Sequence, residues 1–161
     1  MRRFLDRLFA RSQPVLTEAT PGDARAIAGL HAASFRRGWS EDEVEALLID
    51  RAVLTHRAMT GRTLGGFVMS RIADDEAEIL SVAVANRRRG RGLAGALLRL
   101  HLGRLAGLAV RTVFLEADED NESARRLYRR AGFRDVGRRE GYYPNGTATG
   151  TAALILRRDL A

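Results

Sequence analysis

Residues 79–98 join one apolar segment to another through a turn of arginines and glycines, ILSVAVANRRRGRGLAGALL. The first segment has the composition of a strand and the last that of a helix. The first N–H groups of a helix have no partner within it and lie at the positive end of its dipole. Glycines let a ligand approach the backbone, and arginines pair with phosphate. The sequence therefore predicts an anion site for a phosphate or pyrophosphate group. The residues that supply these features are Arg87, Arg88, Arg89, Gly90, Arg91, Gly92 and Gly95.

Two known phosphate-binding motifs, the dinucleotide-binding fingerprint and the Walker P-loop, do not fit this turn. Its three glycines satisfy G-x-G-x-x-G, and Glu116 follows at about the spacing of the acidic residue in a dinucleotide site. However, residues 85–89 separate the last strand residue, Val84, from Gly90, and too few residues follow Gly95 for a doubly wound half. A Walker P-loop is excluded because no Lys-Ser or Lys-Thr follows the glycines. An ordinary arginine-rich surface turn is the remaining alternative.

Composition limits the other classes of site. The 161 residues suit one domain with a single core. The absence of cysteine excludes disulfides, thiolate metal sites and an acyl-cysteine intermediate. His31, His56 and His101 show no metal-ligand spacing, so we predict no metal site and expect these side chains at the surface or half-buried. The net charge of +7 comes from arginine, since the chain has no lysine. Such a charge favours phosphate-rich or acidic partners, although a genome biased towards arginine codons would produce it too.

Residues 1–14 are predicted to form a basic amphipathic arm. Phe4, Leu5 and Leu8 would share one helical face, which could dock on a membrane or another protein. Charged residues interrupt this segment, so it is not a signal peptide, and no segment is long enough to span a bilayer. We expect a cytoplasmic protein.

Residues 15–161 are predicted to form one α+β domain with a mixed, largely antiparallel sheet flanked by helices. Strands are expected at Val15–Glu18, 52–60, 63–72, 77–84, 112–116, 133–138 and 152–156. Helices are expected at 20–35, 40–49, 92–105 and 121–130. Ser40 and Glu43 form a capping box with Trp39 stapled onto Val44, and Gly132 suits a left-handed cap. Residues 142–146 are expected in a loop.

Three polar residues of the second half could carry chemistry. Glu116 ends the strand VFLE, where a carboxylate can act as a general base or lie solvated at an edge beside the acidic run 118–120. Tyr128 lies on the apolar face of its helix and is expected to be buried, with its hydroxyl bonded nearby. Asn121 suits an N-cap equally well.

These residues and the glycine turn together resemble the GCN5-related N-acetyltransferases, the GNAT family. The resemblance rests on the frame Arg89-x-x-Gly92-x-Ala94 and on the segment that contains Leu115-Glu116, Asn121, Ala124, Leu127-Tyr128 and Gly132-Phe133. Residues 31–48, with Trp39-Ser40, and the stretch Gly141-Tyr142-Tyr143-Pro144 are more narrowly similar to the bacterial N-terminal alanine acetyltransferases of ribosomal proteins, the RimI type. The resemblance covers nearly all of residues 15–156.

The resemblance implies acetyl-CoA as co-substrate and no metal. The pyrophosphate would lie on the turn, and the pantetheine arm would pair with the strand backbone and with Asn121. The cofactor-binding residues implied in this way are Val82, Ala83, Val84, Arg89, Gly90, Arg91, Gly92, Leu93, Ala94, Gly95, Asn121 and Tyr128.

The resemblance also implies direct transfer in a ternary complex. Glu116 would deprotonate the amine through a water, and Tyr128 would donate a proton to the leaving thiolate. Trp39, Tyr142 and Tyr143 would bind the acceptor.

Two departures from the family pattern lie on the acceptor side. Gly38 stands where the family usually has proline, and Thr151-Ala152 stands where it often has an acidic pair. At pH 7 about one α-amine in ten is neutral, against about one lysine in 2,500, so an α-amine needs little help from a base.

We therefore expect a protein N-terminus, possibly of a ribosomal protein, as the acceptor. A small amine or amino acid is the alternative. A non-catalytic domain that binds RNA or the ribosome would need a stacking platform, and aromatic residues make up only 6% of the chain. Direct nucleic-acid binding is therefore not expected.

Overall fold

The computed structural model describes residues 13–143 and 151–160. All but the last two residues of the predicted N-terminal arm therefore lie outside the described residues, and the boundary at residue 15 stays a prediction. None of the described helices is long and apolar enough to cross a bilayer.

Within the described residues, seven strands form one sheet in the order β1-β2-β3-β4-β5-β7-β6. The only parallel pair among the described strands is β4 with β5; the other neighbours are antiparallel. The predicted mixed, largely antiparallel sheet is thus confirmed. The strands are β1 (Val15–Glu18), β2 (Val53–Thr60), β3 (Thr63–Ala73), β4 (Glu76–Val84), β5 (Thr112–Asp118), β6 (Arg134–Tyr143) and β7 (Thr151–Asp159).

In the described part of the chain four helices cover the two faces of the sheet, and each face has its own core. The helices are α1 (Ala24–Ser34), α2 (Glu41–Ile49), α3 (Leu93–Gly107) and α4 (Glu122–Arg130). On one face α1 and α2 enclose Ile27, Val44, Phe67 and Met69. On the other face, α3 and α4 enclose a larger core that includes Leu97, Leu105, Leu115, Tyr128 and Leu156. The domain is therefore a helix–sheet–helix sandwich.

Local signals located several helix ends correctly. Ser40 Oγ accepts from the Glu43 N–H at 3.1 Å, and Glu43 Oε2 accepts from the Ser40 N–H at 2.7 Å, which is the predicted capping box. Gly132 has φ +88°, as its predicted left-handed cap requires. At the first helix, residues Pro21–Asp23 form a separate 3-10 turn, so α1 begins at Ala24.

Several strands extend beyond their predicted ends. β5 continues to Asp118, which pairs with Ala153, and β6 continues to Tyr143, which pairs with Thr151. Tyr143 therefore lies in a strand and not in the predicted loop. The added residues do not continue a clear apolar alternation, and backbone pairing with the neighbouring strand holds them in place.

The prediction that the histidines lie at the surface or half-buried is wrong. His31 and His56 are 4% exposed, and His101 is fully buried. The Nδ1 atoms of His56 and His101 are 2.8 Å apart, and Ser70 Oγ lies 2.6 Å from His101 Nε2. Burial lowers the pKa of His101 to about 3 and also lowers that of His56. Hydrogen bonds between distant elements thus make these polar rings acceptable in the interior.

Candidate functional site

The only parallel pair of the described sheet opens towards the ends of its strands. Residues 76–78 of β4 pair with residues 112–114 of β5. Residues 79–84 continue to pair with β3 but have no register partner in β5. The pairing of β3 with β4 shifts at Leu80, between Ile79 and Ser81, as in a β-bulge, which bends a strand. The two strands therefore diverge, and the backbone of Val82, Ala83 and Val84 belongs to the β4 side of the opening.

The glycine turn follows the end of β4. After a 3-10 turn at Asn86–Arg88, Gly90 and Gly92 adopt left-handed conformations with φ of 73° and 77°. Gly92 is also the N-cap of α3. A Cβ built on either glycine would meet nothing within 4 Å. These glycines are thus required for the backbone conformation, and they leave open space at the start of the helix.

The first N–H groups of α3 have no internal acceptor. The first helical hydrogen bond runs from the Ala96 N–H to the Gly92 carbonyl at 3.0 Å. Within the described ranges no acceptor is recorded for the N–H groups of Leu93, Ala94 and Gly95. These donors, with the positive end of the helix dipole, suit a phosphate group.

Two arginines flank the same turn. Arg89 Nε donates to the Val84 carbonyl at 3.0 Å, so this side chain ties the turn to the end of β4. Arg91 is exposed. The turn therefore combines a fixed backbone with an available positive charge.

Helix α4 carries two further predicted residues. Asn121 is its N-cap, and its side-chain oxygen accepts from the Ala124 N–H at 3.1 Å. Tyr128 is 9% exposed and packs edge-on against Phe133, with 5.9 Å between the ring centroids. The N-cap role and the burial expected from the sequence are both present.

Glu116 lies in a central strand, so it is not a residue of the sheet edge. Its side chain is 25% exposed, and its Oε1 atom lies 3.1 Å from Nη2 of Arg139. Its neighbours Leu115 and Ala117 belong to the core beneath α3 and α4, so Glu116 projects from the other face. Glu116 and Tyr128 therefore lie on opposite faces of the sheet, which the opening between β4 and β5 connects.

Trp39 lies on the same face as Glu116, in the segment between α1 and α2. Its ring stacks on His31 with 3.9 Å between the centroids, and its backbone N–H donates to His31 Nδ1 at 3.1 Å. Burial lowers the pKa of His31, although the nearby Glu43 carboxylate opposes this shift. A neutral His31 thus positions Trp39, which packs in the same core as Val44. Sequence reasoning missed this role of His31, which the apolar periodicity of α1 could have indicated.

The other residues predicted on the acceptor side lie at the end of β6, at the start of β7 and in the segment before Trp39. Tyr142 and Tyr143 end β6, but their side chains lie outside the described residues. Thr151 and Ala152 are buried at the start of β7. A Cβ on Gly38 would lie 2.7 Å from the Cβ of Ala32, so the close approach of these segments explains why glycine stands at this position.

Within residues 13–143 and 151–160, no group of three or more metal-ligating side chains is placed to hold an ion.

The profile of the acetyltransferase (GNAT) family matches residues 24–133. The N-alpha-acetyltransferase RimI of Mycobacterium tuberculosis is 36% identical over 106 residues, which cover 63% of this chain and 63% of that protein. A mycothiol acetyltransferase of Clavibacter michiganensis is 36% identical over 100 residues, which cover 62% of this chain and 33% of that protein. The chain thus spans less than two thirds of the length of these curated relatives.

The fold is also found among solved structures. The ribosomal-protein-S18-alanine N-acetyltransferase of Escherichia coli superposes with a TM-score of 0.84 at 24% identity, covering 92% of this chain and 94% of that one. At this identity the likeness establishes the shared fold.

Proposed function

The chain belongs to the acetyltransferase (GNAT) family, and from that premise we propose that it transfers the acetyl group of acetyl-CoA to the α-amine of a protein N-terminus. The observation that carries this proposal is the opening between β4 and β5. The glycine turn lies at the end of β4, and Glu116 and Tyr128 lie on the two faces that the opening connects.

The turn and the edge of β4 suit the two parts of coenzyme A. The free N–H groups of residues 93–95 would hold the pyrophosphate, with Arg91 supplying charge. The unpaired backbone edge around Val82 and Ala83 would pair with the amide groups of the pantetheine arm. Because the Asn121 oxygen already caps α4, its side-chain NH₂ is the group left for that arm.

Glu116 and Tyr128 would handle the two protons of the reaction. The amine nitrogen forms a bond to the acetyl carbon while the carbon–sulfur bond breaks. Glu116 accepts the proton of the amine through a water, and the Tyr128 hydroxyl donates a proton to the departing sulfur. Direct transfer in a ternary complex is what the family resemblance implies, and the absence of cysteine excludes an acyl-cysteine intermediate.

The acceptor side supports an extended N-terminus. The RimI relative is an N-alpha-acetyltransferase by name, and the E. coli neighbour acts on an alanine of ribosomal protein S18. Trp39, fixed by its stack on His31, would line the acceptor groove. Tyr142 and Tyr143 would line it too, as the family resemblance implies. We propose room for a small first residue such as Ala or Ser.

A small amine is the second candidate acceptor. The matched mycothiol acetyltransferase, together with Thr151-Ala152 in place of the acidic pair of the resembled enzymes, favours it.

A panel of peptides tests the acceptor. We expect acetylation at the α-amine of peptides that begin with Ala or Ser, and kcat/KM roughly 10-fold to 200-fold lower for a bulky first residue, because overpacking costs about 1 to 3 kcal/mol. The same peptides with a blocked N-terminus and an internal lysine are the matched controls. Mass spectrometry locates the acetyl group. Turnover of free amines without activity on any peptide would favour a small amine as the acceptor.

The cytoplasmic location of the protein stays a prediction.

A further inference from the structure

Arg139 lies on β6, two strands away from Glu116, yet its Nη2 atom is 3.1 Å from Glu116 Oε1. We propose that Arg139 is a positioning residue for the acetyl transfer: it holds the Glu116 carboxylate so that the second oxygen faces the acceptor amine. This inference rests on the proposed function and deepens it.

The contact requires a long side chain that crosses an intervening strand. Adjacent strands are about 4.8 Å apart, so β5 and β6 are separated by roughly 10 Å with β7 between them. Arginine is long enough to cover that distance. In the register, Arg139 lies opposite Ala153 of β7, and Glu116 lies opposite Ile155. The guanidinium therefore passes diagonally across β7.

Small residues keep this path clear. Ala153, next to Arg139 on β7, carries only a methyl group and is fully buried. Gly137, the β6 residue opposite Ile155, has no side chain, and a Cβ there would lie 3.2 Å from Ile155 Cδ1. Arg139 is thus the residue of β6 that extends over this part of the sheet towards Glu116.

The geometry of the pair leaves one carboxylate oxygen for chemistry. Arg139 contacts Oε1 of Glu116, and in the part of the chain that the structure describes no partner is recorded for Oε2. The side chains are 53% and 25% exposed, and ion pairs that are this exposed contribute little to stability. The attraction between the two charges at 3.1 Å nevertheless favours positions of the carboxylate that keep Oε1 beside the guanidinium. Its main effect is therefore on the position of the carboxylate.

The preceding residue offers a matched control. Arg138 also lies on β6 and is 45% exposed, but it pairs with Glu119 and Glu140 and not with Glu116. Loss of Arg138 removes the same charge from the same strand without touching the Glu116 carboxylate.

A double-mutant cycle tests the positioning role. The variants are Arg139→Gln, Glu116→Gln and the two combined, assayed at raised pH where the glutamine variant keeps measurable turnover. We expect Arg139→Gln to lower kcat about 10-fold to 100-fold with an unchanged KM for acetyl-CoA, because a small misplacement of a reacting group has an effect of this size. In the Glu116→Gln background the same change should have no further effect.

Three further variants sharpen the result. Arg139→Lys should restore part of kcat, since it keeps the charge but loses the planar fork. Arg139→Ala should regain activity when guanidinium is added. Arg138→Gln should keep the parent kcat.

Different failures have different meanings. An equal loss of kcat in both backgrounds, or a loss in Arg138→Gln as large as that in Arg139→Gln, would overturn the positioning role alone. A parent protein that acetylates no amine would overturn the proposed function, and the positioning role with it. Near-ultraviolet circular dichroism confirms that each variant is folded before the cycle is interpreted.

Discussion

The two faces of the sheet are built in different ways. On the α3 and α4 face, the last part of β4, the glycine turn and the start of α3 come from twenty consecutive residues, 79–98. On the α1 and α2 face, the stack of His31 on Trp39 joins a helix to the segment that follows it, and the pair of Glu116 with Arg139 joins two strands that β7 separates. Local geometry therefore specifies the glycine turn of the first face, whereas strand order decides the Glu116–Arg139 pair of the second. If the two faces also have separate roles in binding, changes on the α3 and α4 face should alter the affinity for acetyl-CoA. Changes on the α1 and α2 face should alter the binding of the acceptor.

The largest expected effect tests whether both faces meet in one reaction. Glu116→Gln and Tyr128→Phe should each lower kcat roughly 10²-fold to 10⁴-fold and leave acetyl-CoA binding nearly intact, because each removes one proton transfer. The glutamine variant should recover partly at higher pH, where the amine deprotonates by itself. Steady-state kinetics and calorimetry measure the two quantities.

The exposed Glu78 of β4 supplies the control, since Glu78→Gln removes a carboxylate outside the opening. If Glu116→Gln and Tyr128→Phe both keep the turnover of the parent protein, these two residues have structural roles only.

The second effect is the pH dependence of stability that the buried histidines of both faces cause. His31, His56 and His101 all have a lowered pKa in the folded protein, His101 to about 3. Between pH 6.5 and these lower values the unfolded chain binds protons that the folded chain rejects. Their contribution to stability is therefore complete above pH 6.5 and is lost as the pH falls, and for His101 the loss approaches about 1.4 kcal/mol per pH unit between pH 6.5 and its folded pKa of about 3.

Urea unfolding at pH 7 and at pH 5 measures this slope. His101→Gln should flatten it, since glutamine can hydrogen bond but does not titrate. An unchanged slope in this variant would assign the pH dependence to other groups.

The third effect concerns acetyl-CoA alone. Gly92→Asp would place a carboxylate where the pyrophosphate is proposed to lie, so the affinity for acetyl-CoA should fall tenfold or more, which is about 1.4 kcal/mol. Gly92→Asn is the matched control, because asparagine has the same shape, tolerates the φ of +77° and lacks the charge. If calorimetry gives the two variants equal affinity for acetyl-CoA, the proposed position of the pyrophosphate on this turn is wrong.

The smallest effect should be confined to the acceptor face. Ser40→Ala removes the N-cap of α2, beside Trp39, and should lower the free energy of unfolding by about 1 kcal/mol. We expect acetyl-CoA affinity to stay constant, as in Ser123→Ala, which changes an exposed serine of α4. A weakened affinity in Ser40→Ala alone would show that the two faces are coupled.

Sequence reasoning succeeded where a few neighbouring residues decide the structure. The capping box at Ser40 and the left-handed cap at Gly132 depend on side chains and dihedral angles within four residues. The turn between β4 and α3 is equally local, and alternation of apolar residues gave most strands. The GNAT resemblance came from the same turn and from the segment that contains Glu116 and Tyr128, and the family match established it.

Sequence reasoning failed where a residue depends on a distant partner. The burial of His101 relies on His56 and Ser70, which are 45 and 31 residues away in the chain. The end of β6 at Tyr143 depends on pairing with β7. No local pattern carries either fact.

The sequence by itself determined the left-handed glycines and the free N–H donors at the start of α3, because backbone sterics and hydrogen-bond spacing act over a few residues. The tertiary structure alone decided that β4 and β5 diverge after residue 78, that Glu116 and Tyr128 lie on opposite faces of that opening, and that Arg139 reaches Glu116 across β7. These features follow from strand order and register, which are set by contacts between segments far apart in the chain.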